Sequence, residues 1–87
     1  MEEKNRVLGV LRITLSEGHV MNPDIFRGAE PIKTARGEIM PYYDSENNTV
    51  TGECRMSYKD SGIDVHIREN VAVCIPYGTI CKWEVLE

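Results

Sequence analysis

Apolar residues recur at every second position along much of this chain, most densely from residue 38 onward. A period of two is typical of strands that bury one face, whereas a helix repeats about every 3.6 residues. The first predicted strand spans residues 6–15, and Gly9 within it indicates a bulge or bend. One face carries Val7, Leu11, Ile13 and Leu15, and the other carries Leu8, Val10, Arg12 and Thr14.

The alternation stops between residues 17 and 37, where glycine, proline and polar residues predict a long loop. Asn22 can cap a helical turn that begins at Pro23, and Gly28 can end it in the left-handed conformation. We therefore expect one short helical turn over residues 22–28, with Ile25 and Phe26 filling the core.

Two successive hairpins are predicted in the second half of the chain. Residues 38–44 pair with residues 49–58 around a turn at 45–48, and residues 59–62 form the next turn. The paired apolar residues are then Tyr43 with Val50, Ile39 with Cys54, Tyr58 with Ile63, Met56 with Val65 and Cys54 with Ile67. A slip of one residue would turn every side chain to the other face, so both hairpins predict the same inner face.

The outer face of these hairpins combines apolar and charged residues. Its register predicts two cross-strand ion pairs, Glu38 with Arg55 and Glu53 with Arg68. The candidate protein-binding residues on this face are Met40, Tyr42, Arg55, His66 and Arg68. Met, Tyr and Arg are enriched at protein interfaces, which favours a docking surface. The alternative is that the long loop covers some of these side chains.

A last hairpin is predicted between residues 71–75 and 79–85, which sets Cys74 opposite Cys81 at a separation near that of a disulfide. Its first strand is almost continuously apolar, so it needs cover on both faces. Pairing with a second copy in a homodimer would provide that cover, and so would closure of a barrel against residues 6–15.

These elements predict an all-β fold in a single domain of 87 residues, with residues 1–5 as a frayed terminus. Five to six short antiparallel strands favour a small closed or partly open barrel, SH3-like or OB-like, and a two-sheet sandwich is the alternative.

The net charge of −4 disfavours electrostatic binding to a negatively charged phosphate backbone, so nucleic acid is an unfavoured partner. Zinc ligands usually come in close pairs, whereas Cys54, His66, Cys74 and Cys81 are widely spaced. No phosphate-binding loop or nucleophile elbow is present in the sequence. We therefore assign no catalytic, cofactor or metal residue. A cytoplasmic protein without membrane contact is expected, because the sequence has no secretion signal or long apolar segment.

The sequences GEIMPYYD, VTGE and SGIDV resemble the paired hairpins of tailed-phage capsid-maturation proteases. No His or Ser stands where that family places a catalytic residue, so the resemblance implies a phage or mobile-element accessory protein and not a protease. The sequence thus favours a non-enzymatic protein-binding module: an accessory subunit, an assembly factor or a small inhibitor. The alternatives are an OB-like domain that binds a small ligand or single-stranded nucleic acid, and a small thiol- or His-dependent enzyme.

Overall fold

The computed structural model describes residues 6–87, and it is all-β as predicted. The predicted frayed terminus at residues 1–5 lies outside the described residues. Between residues 6 and 87, three 3-10 turns occur, at Pro23–Phe26, Tyr58–Asp60 and Tyr77–Thr79. The strands are β1 (Val7–Leu15), β2 (Ile32–Thr34), β3 (Gly37–Ile39), β4 (Tyr42–Asp44), β5 (Thr49–Met56), β6 (Gly62–Ile67), β7 (Asn70–Pro76) and β8 (Ile80–Val85).

Over these residues, six antiparallel strands form the main sheet: five lie in the order β7, β6, β5, β1, β8, and the sixth, β4, also pairs with β5. The central strand β5 pairs with β1 along one edge, while β4 and β6 share its other edge. The hairpin of β2 and β3 forms a separate two-stranded sheet.

Within residues 6–87 the main sheet is open, so the closed form of the predicted barrel does not occur. The predicted hairpin of the last two strands is wrong, because β7 pairs with β6 and β8 pairs with β1. Only the turn Tyr77–Thr79 joins these two edge strands. The sheet must therefore curl, so that its two edges come together at this turn. Beyond the turn the two strands diverge, and they do not pair over the described residues.

The predicted pairing of Tyr43 with Val50 is confirmed. The strand predicted over residues 38–44 is interrupted at Met40 and Pro41, because proline has no N–H for the ladder. Its first part therefore turns into the separate hairpin, where Glu38 lies opposite Lys33. The predicted Glu38–Arg55 pair does not form.

The predicted register of β5 with β6 is wrong by two residues, since Met56 lies opposite Ile63. The turn between them is longer than expected and contains two non-glycine residues with positive φ, Lys59 and Asp60. A shift of two residues keeps every side chain on its predicted face. It places Glu53 opposite His66 and not opposite Arg68.

The bulge predicted at Gly9 is confirmed, and it changes which residues of β1 face inward. The register shifts between Val7 and Gly9, so Val7 lies opposite Arg55 on the outer face and Leu8 packs against the core. Gly9 has a φ of 115°, and a Cβ at this position would lie 2.6 Å from the carbonyl oxygen of Glu87. Only glycine combines this backbone conformation with so close an approach.

The connection between β1 and β2 covers the inner face of the sheet. Asn22 accepts a hydrogen bond from the backbone N–H of Asp24 at 2.9 Å, which confirms the predicted cap and turn. Phe26 is buried in the core, with Ile25 packed against it. The connection is shorter than expected, because β2 and the start of β3 lie inside the predicted loop 17–37. No helix within residues 6–87 has the length and apolar character that crossing a bilayer requires.

Candidate docking groove and the polar outer face

The β2–β3 hairpin stands over the outer face of the sheet and encloses a groove with it. Ala35, at the tip of the hairpin, donates its backbone N–H to Oε2 of Glu87 at 3.3 Å. The space between hairpin and sheet has a volume of ≈ 740 Å³. We call it the hairpin groove, and its lining includes Arg12, Arg36, Glu38, Met40, Tyr42 and Asp44.

Two predicted binding residues, Met40 and Tyr42, meet at this groove. Each side chain is 52% exposed. They flank the buried Pro41, where the chain passes from the hairpin back into the main sheet. The proline therefore anchors the segment while its two neighbours stay accessible.

Charges of both signs surround these two side chains. Arg12 pairs with Glu84 of the neighbouring strand at 3.4 Å. The side chain and backbone of Asn47 donate hydrogen bonds to Asp44, and they lower the pKa of this carboxyl group below its usual range. Asp44 is therefore ionised at neutral pH, and it gives one end of the groove a fixed negative charge.

The other three predicted binding residues do not line this groove. His66 is only 4% exposed, and Arg55 is half-buried beside it. Arg68 lies beyond the end of β6, where it forms an ion pair with Glu30 at 3.2 Å. The predicted single patch is thus divided into an exposed pair at the groove, a buried pair on the sheet and a separate arginine.

The buried pair has unusual electrostatics. Among the described residues, neither ring nitrogen of His66 has a hydrogen-bond partner, and neither does Nε of Arg55. Burial, together with the positive charge of Arg55, lowers the pKa of His66, while Asp64 and Glu53 oppose this shift. The imidazole is therefore neutral at physiological pH.

A polar cluster that the sequence did not predict lies next to this pair. The hydroxyl group of Ser57 donates to Oδ1 of Asp64 at 2.7 Å and lies 3.2 Å from the sulfur of Cys74. The Ser57 hydrogen bond lowers the pKa of the Cys74 thiol, but burial and Asp64 raise it more, so the net shift is upward. A thiol in this state is a poor nucleophile. The correct register of β6 with β7, which sets Asp64 opposite Cys74, would have predicted the cluster.

The cysteines lie in three different places. Cys54 is buried in the core, and burial raises its pKa to about 12. Cys74 and Cys81 belong to opposite edges of the sheet, so the predicted cross-strand juxtaposition is wrong. Over residues 6–87, His, Cys, Asp and Glu side chains form no group of three that could hold a metal ion.

Comparisons with known proteins give no match: no protein-family model, no curated protein and no solved structure resembles the chain significantly.

Proposed function

We propose that this protein is a non-enzymatic protein-binding module, an accessory subunit, assembly factor or small inhibitor, and that the hairpin groove is its docking surface. The observation that carries the proposal is the pair Met40 and Tyr42, two large side chains that stay half-exposed beside a concave surface. Aromatic and Met side chains are enriched at protein interfaces, and Tyr is also frequent among the residues that dominate the binding energy.

The surroundings of the pair support this proposal. Arg12 and Arg36 lie on the same lining as Glu38 and Asp44. Charges of both signs around an apolar centre give a partner specific orientation. The bound segment would therefore carry an apolar side chain between acidic and basic groups.

The strand order favours the SH3-like alternative among the predicted folds, in a partly open form. The first strand, β1, lies between β5 and the last strand, and a 3-10 turn joins the last two strands. This architecture commonly carries binding modules, although a fold by itself does not define a function.

A pull-down with a matched pair of variants tests the proposal. The double variant Met40→Ser, Tyr42→Ser should lose a partner that the wild-type chain retains from a lysate, as identified by mass spectrometry. The control is Tyr58→Ser, because Tyr58 is 72% exposed and lies outside the groove. Circular dichroism establishes that each variant is folded.

The control variant should retain the same partner as the wild type. Equal loss in both variants would indicate nonspecific apolar capture, and retention in both would show that the groove is not the docking surface. Either result would contradict the proposal.

A second candidate function is binding of a small anionic ligand or a short single strand of nucleic acid. Arg12, Arg36 and Tyr42 in one groove favour it, because guanidinium groups bind phosphates and an aromatic ring stacks on a base. Fluorescence anisotropy with a labelled oligonucleotide should then show affinity that falls steeply as salt rises. Affinity that is absent at low salt would exclude single-stranded nucleic acid as the ligand.

An enzyme that depends on a thiol or a histidine is the third candidate. The raised pKa of Cys74 and the burial of His66 count against it, because neither group is poised to react.

A further inference from the structure

The last strand exposes apolar side chains on the face that is buried elsewhere in the sheet. Trp83 lies opposite Ile13, and Val85 lies opposite Leu11. These two partners in β1 are fully buried, yet Trp83 is 49% exposed and Val85 is 61% exposed. The cover of the inner face therefore ends before it reaches β8.

Over residues 6–87, no strand pairs with the outer edge of β8, so its backbone has free hydrogen-bonding groups at the same residues. Leu86 donates its N–H to the carbonyl oxygen of Val10 at 2.7 Å. Hydrogen-bonded pairs alternate along an antiparallel ladder, so Lys82 and Glu84 also direct their backbone groups at β1. Trp83 and Val85 consequently direct their N–H and C=O groups away from β1, toward the free edge of the sheet.

The sequence of this strand is complementary to itself. When two copies are aligned antiparallel about Trp83, each Lys82 lies opposite Glu84 of the second copy, and the two tryptophans lie opposite each other. Cys81 then lies opposite Val85. Directly opposed charges and paired aromatic residues are both favourable across strands. The two ion pairs also define the register, because a shift of two residues breaks both of them.

The opposite edge of the sheet lacks these features. The strand β7, for which the sequence predicts a homodimer contact, has no charged residue. Both edge strands are bulged, β7 near Val71 and β8 at Cys81, but β7 also ends at Pro76, which has no N–H to donate. A proline protects an edge from pairing, whereas the bulge of β8 lies at the end of the segment centred on Trp83.

We propose that this protein forms a symmetric homodimer in which β8 pairs antiparallel with β8 of a second copy, with the two-fold axis at Trp83. The two main sheets become one continuous sheet, and the exposed apolar strips of both copies cover each other. The hairpin groove remains free, so the dimer would present two docking surfaces. The dimer does not depend on the proposed function of the groove.

The charge-reversal variants Lys82→Glu and Glu84→Lys test this arrangement by sedimentation velocity and by the fluorescence of Trp83, the single tryptophan. The wild type should dimerise as its concentration rises, with a blue shift of the tryptophan emission. Each variant alone opposes like charges twice, so its dissociation constant should rise about tenfold or more.

A mixture of the two variants should form a heterodimer, because all the opposed charges are again of opposite sign. Glu69→Lys, an exposed change outside this strand, is the control for altered net charge and should dimerise as the wild type does. A wild type that stays monomeric at millimolar concentration would overturn the proposal. So would a dimer that both charge reversals leave intact, since it would use another surface such as β7.

Discussion

The strands β6 and β8 have similar patterns but very different environments. Both have six residues, and both place charged or polar side chains between apolar ones. Every residue of β6 except the last is buried, whereas every residue of β8 except the first is exposed. Alternation therefore identifies the residues that share a face, but neighbouring strands and a covering segment determine whether that face is buried.

The largest expected difference between the core and β8 is in the reactivity of their thiols. Burial raises the pKa of Cys54 to about 12, and only a thiolate reacts quickly with iodoacetamide. We expect the exposed Cys81 to be alkylated about a thousandfold faster, or more, in the native protein. Peptide mapping over time measures both rates. Similar rates would mean that the core opens readily.

Two valine-to-alanine substitutions compare the strands directly. Val65 in β6 is fully buried, so Val65→Ala should lower the free energy of unfolding by about 2 to 3 kcal/mol. Val85→Ala in β8 should change it by less than about 0.5 kcal/mol when the chain is monomeric. Urea denaturation of dilute protein measures both values. Equal losses would show that the inner side of β8 is covered.

A similar comparison applies to the polar faces of the two strands. Asp64→Ala removes the acceptor for the buried hydroxyl group of Ser57, which should cost about 1 to 3 kcal/mol. Glu84→Ala removes an exposed ion pair with Arg12 and should cost at most about 1 kcal/mol. Urea denaturation again measures both values. A larger loss of stability for Glu84→Ala would show that the exposed ion pair contributes more than the buried hydrogen bond.

The smallest effect is a pH dependence that arises from β6. The pKa of His66 is lowered in the folded state, so below its ordinary value of 6.5 the unfolded chain binds the proton first. Stability should fall as the pH drops from 6.5 toward the lowered pKa, by at most about 1.4 kcal/mol per pH unit. His66→Gln should reduce this slope, and His19→Gln serves as the control. An unchanged slope in His66→Gln would show that folding does not lower the pKa of this imidazole.

Local patterns were sufficient to predict much of the meander from β4 to β6. The alternation from residue 38 onward correctly separated Val50, Cys54 and Val65 from the outer face. The register of β6 could not be obtained in this way, because a longer turn and a two-residue shift leave the faces unchanged. Agreement between alternating faces is therefore only a weak test of strand register.

Long-range pairing was beyond what the sequence could reveal. A turn between residues 75 and 80 favours a hairpin, yet the 3-10 turn there directs β8 to the first strand. For the same reason, the sequence did not reveal that His66 is buried while Met40 and Tyr42, on the same predicted face, are exposed. Burial of that side chain depends on the neighbouring strands of the whole sheet and not on its own segment.

The position of β8 beside β1 also has a consequence for folding kinetics. The hairpins from β4 to β7 join residues that are close in sequence, whereas the first and last strands of the sheet must meet across nearly the whole chain. Closing so long a loop is entropically slow, and topologies rich in such contacts fold in about milliseconds to seconds. We expect the local meander to form early and β8 to add late. During synthesis, the outer edge of β1 would then stay unpaired until the final residues of the sheet have been made.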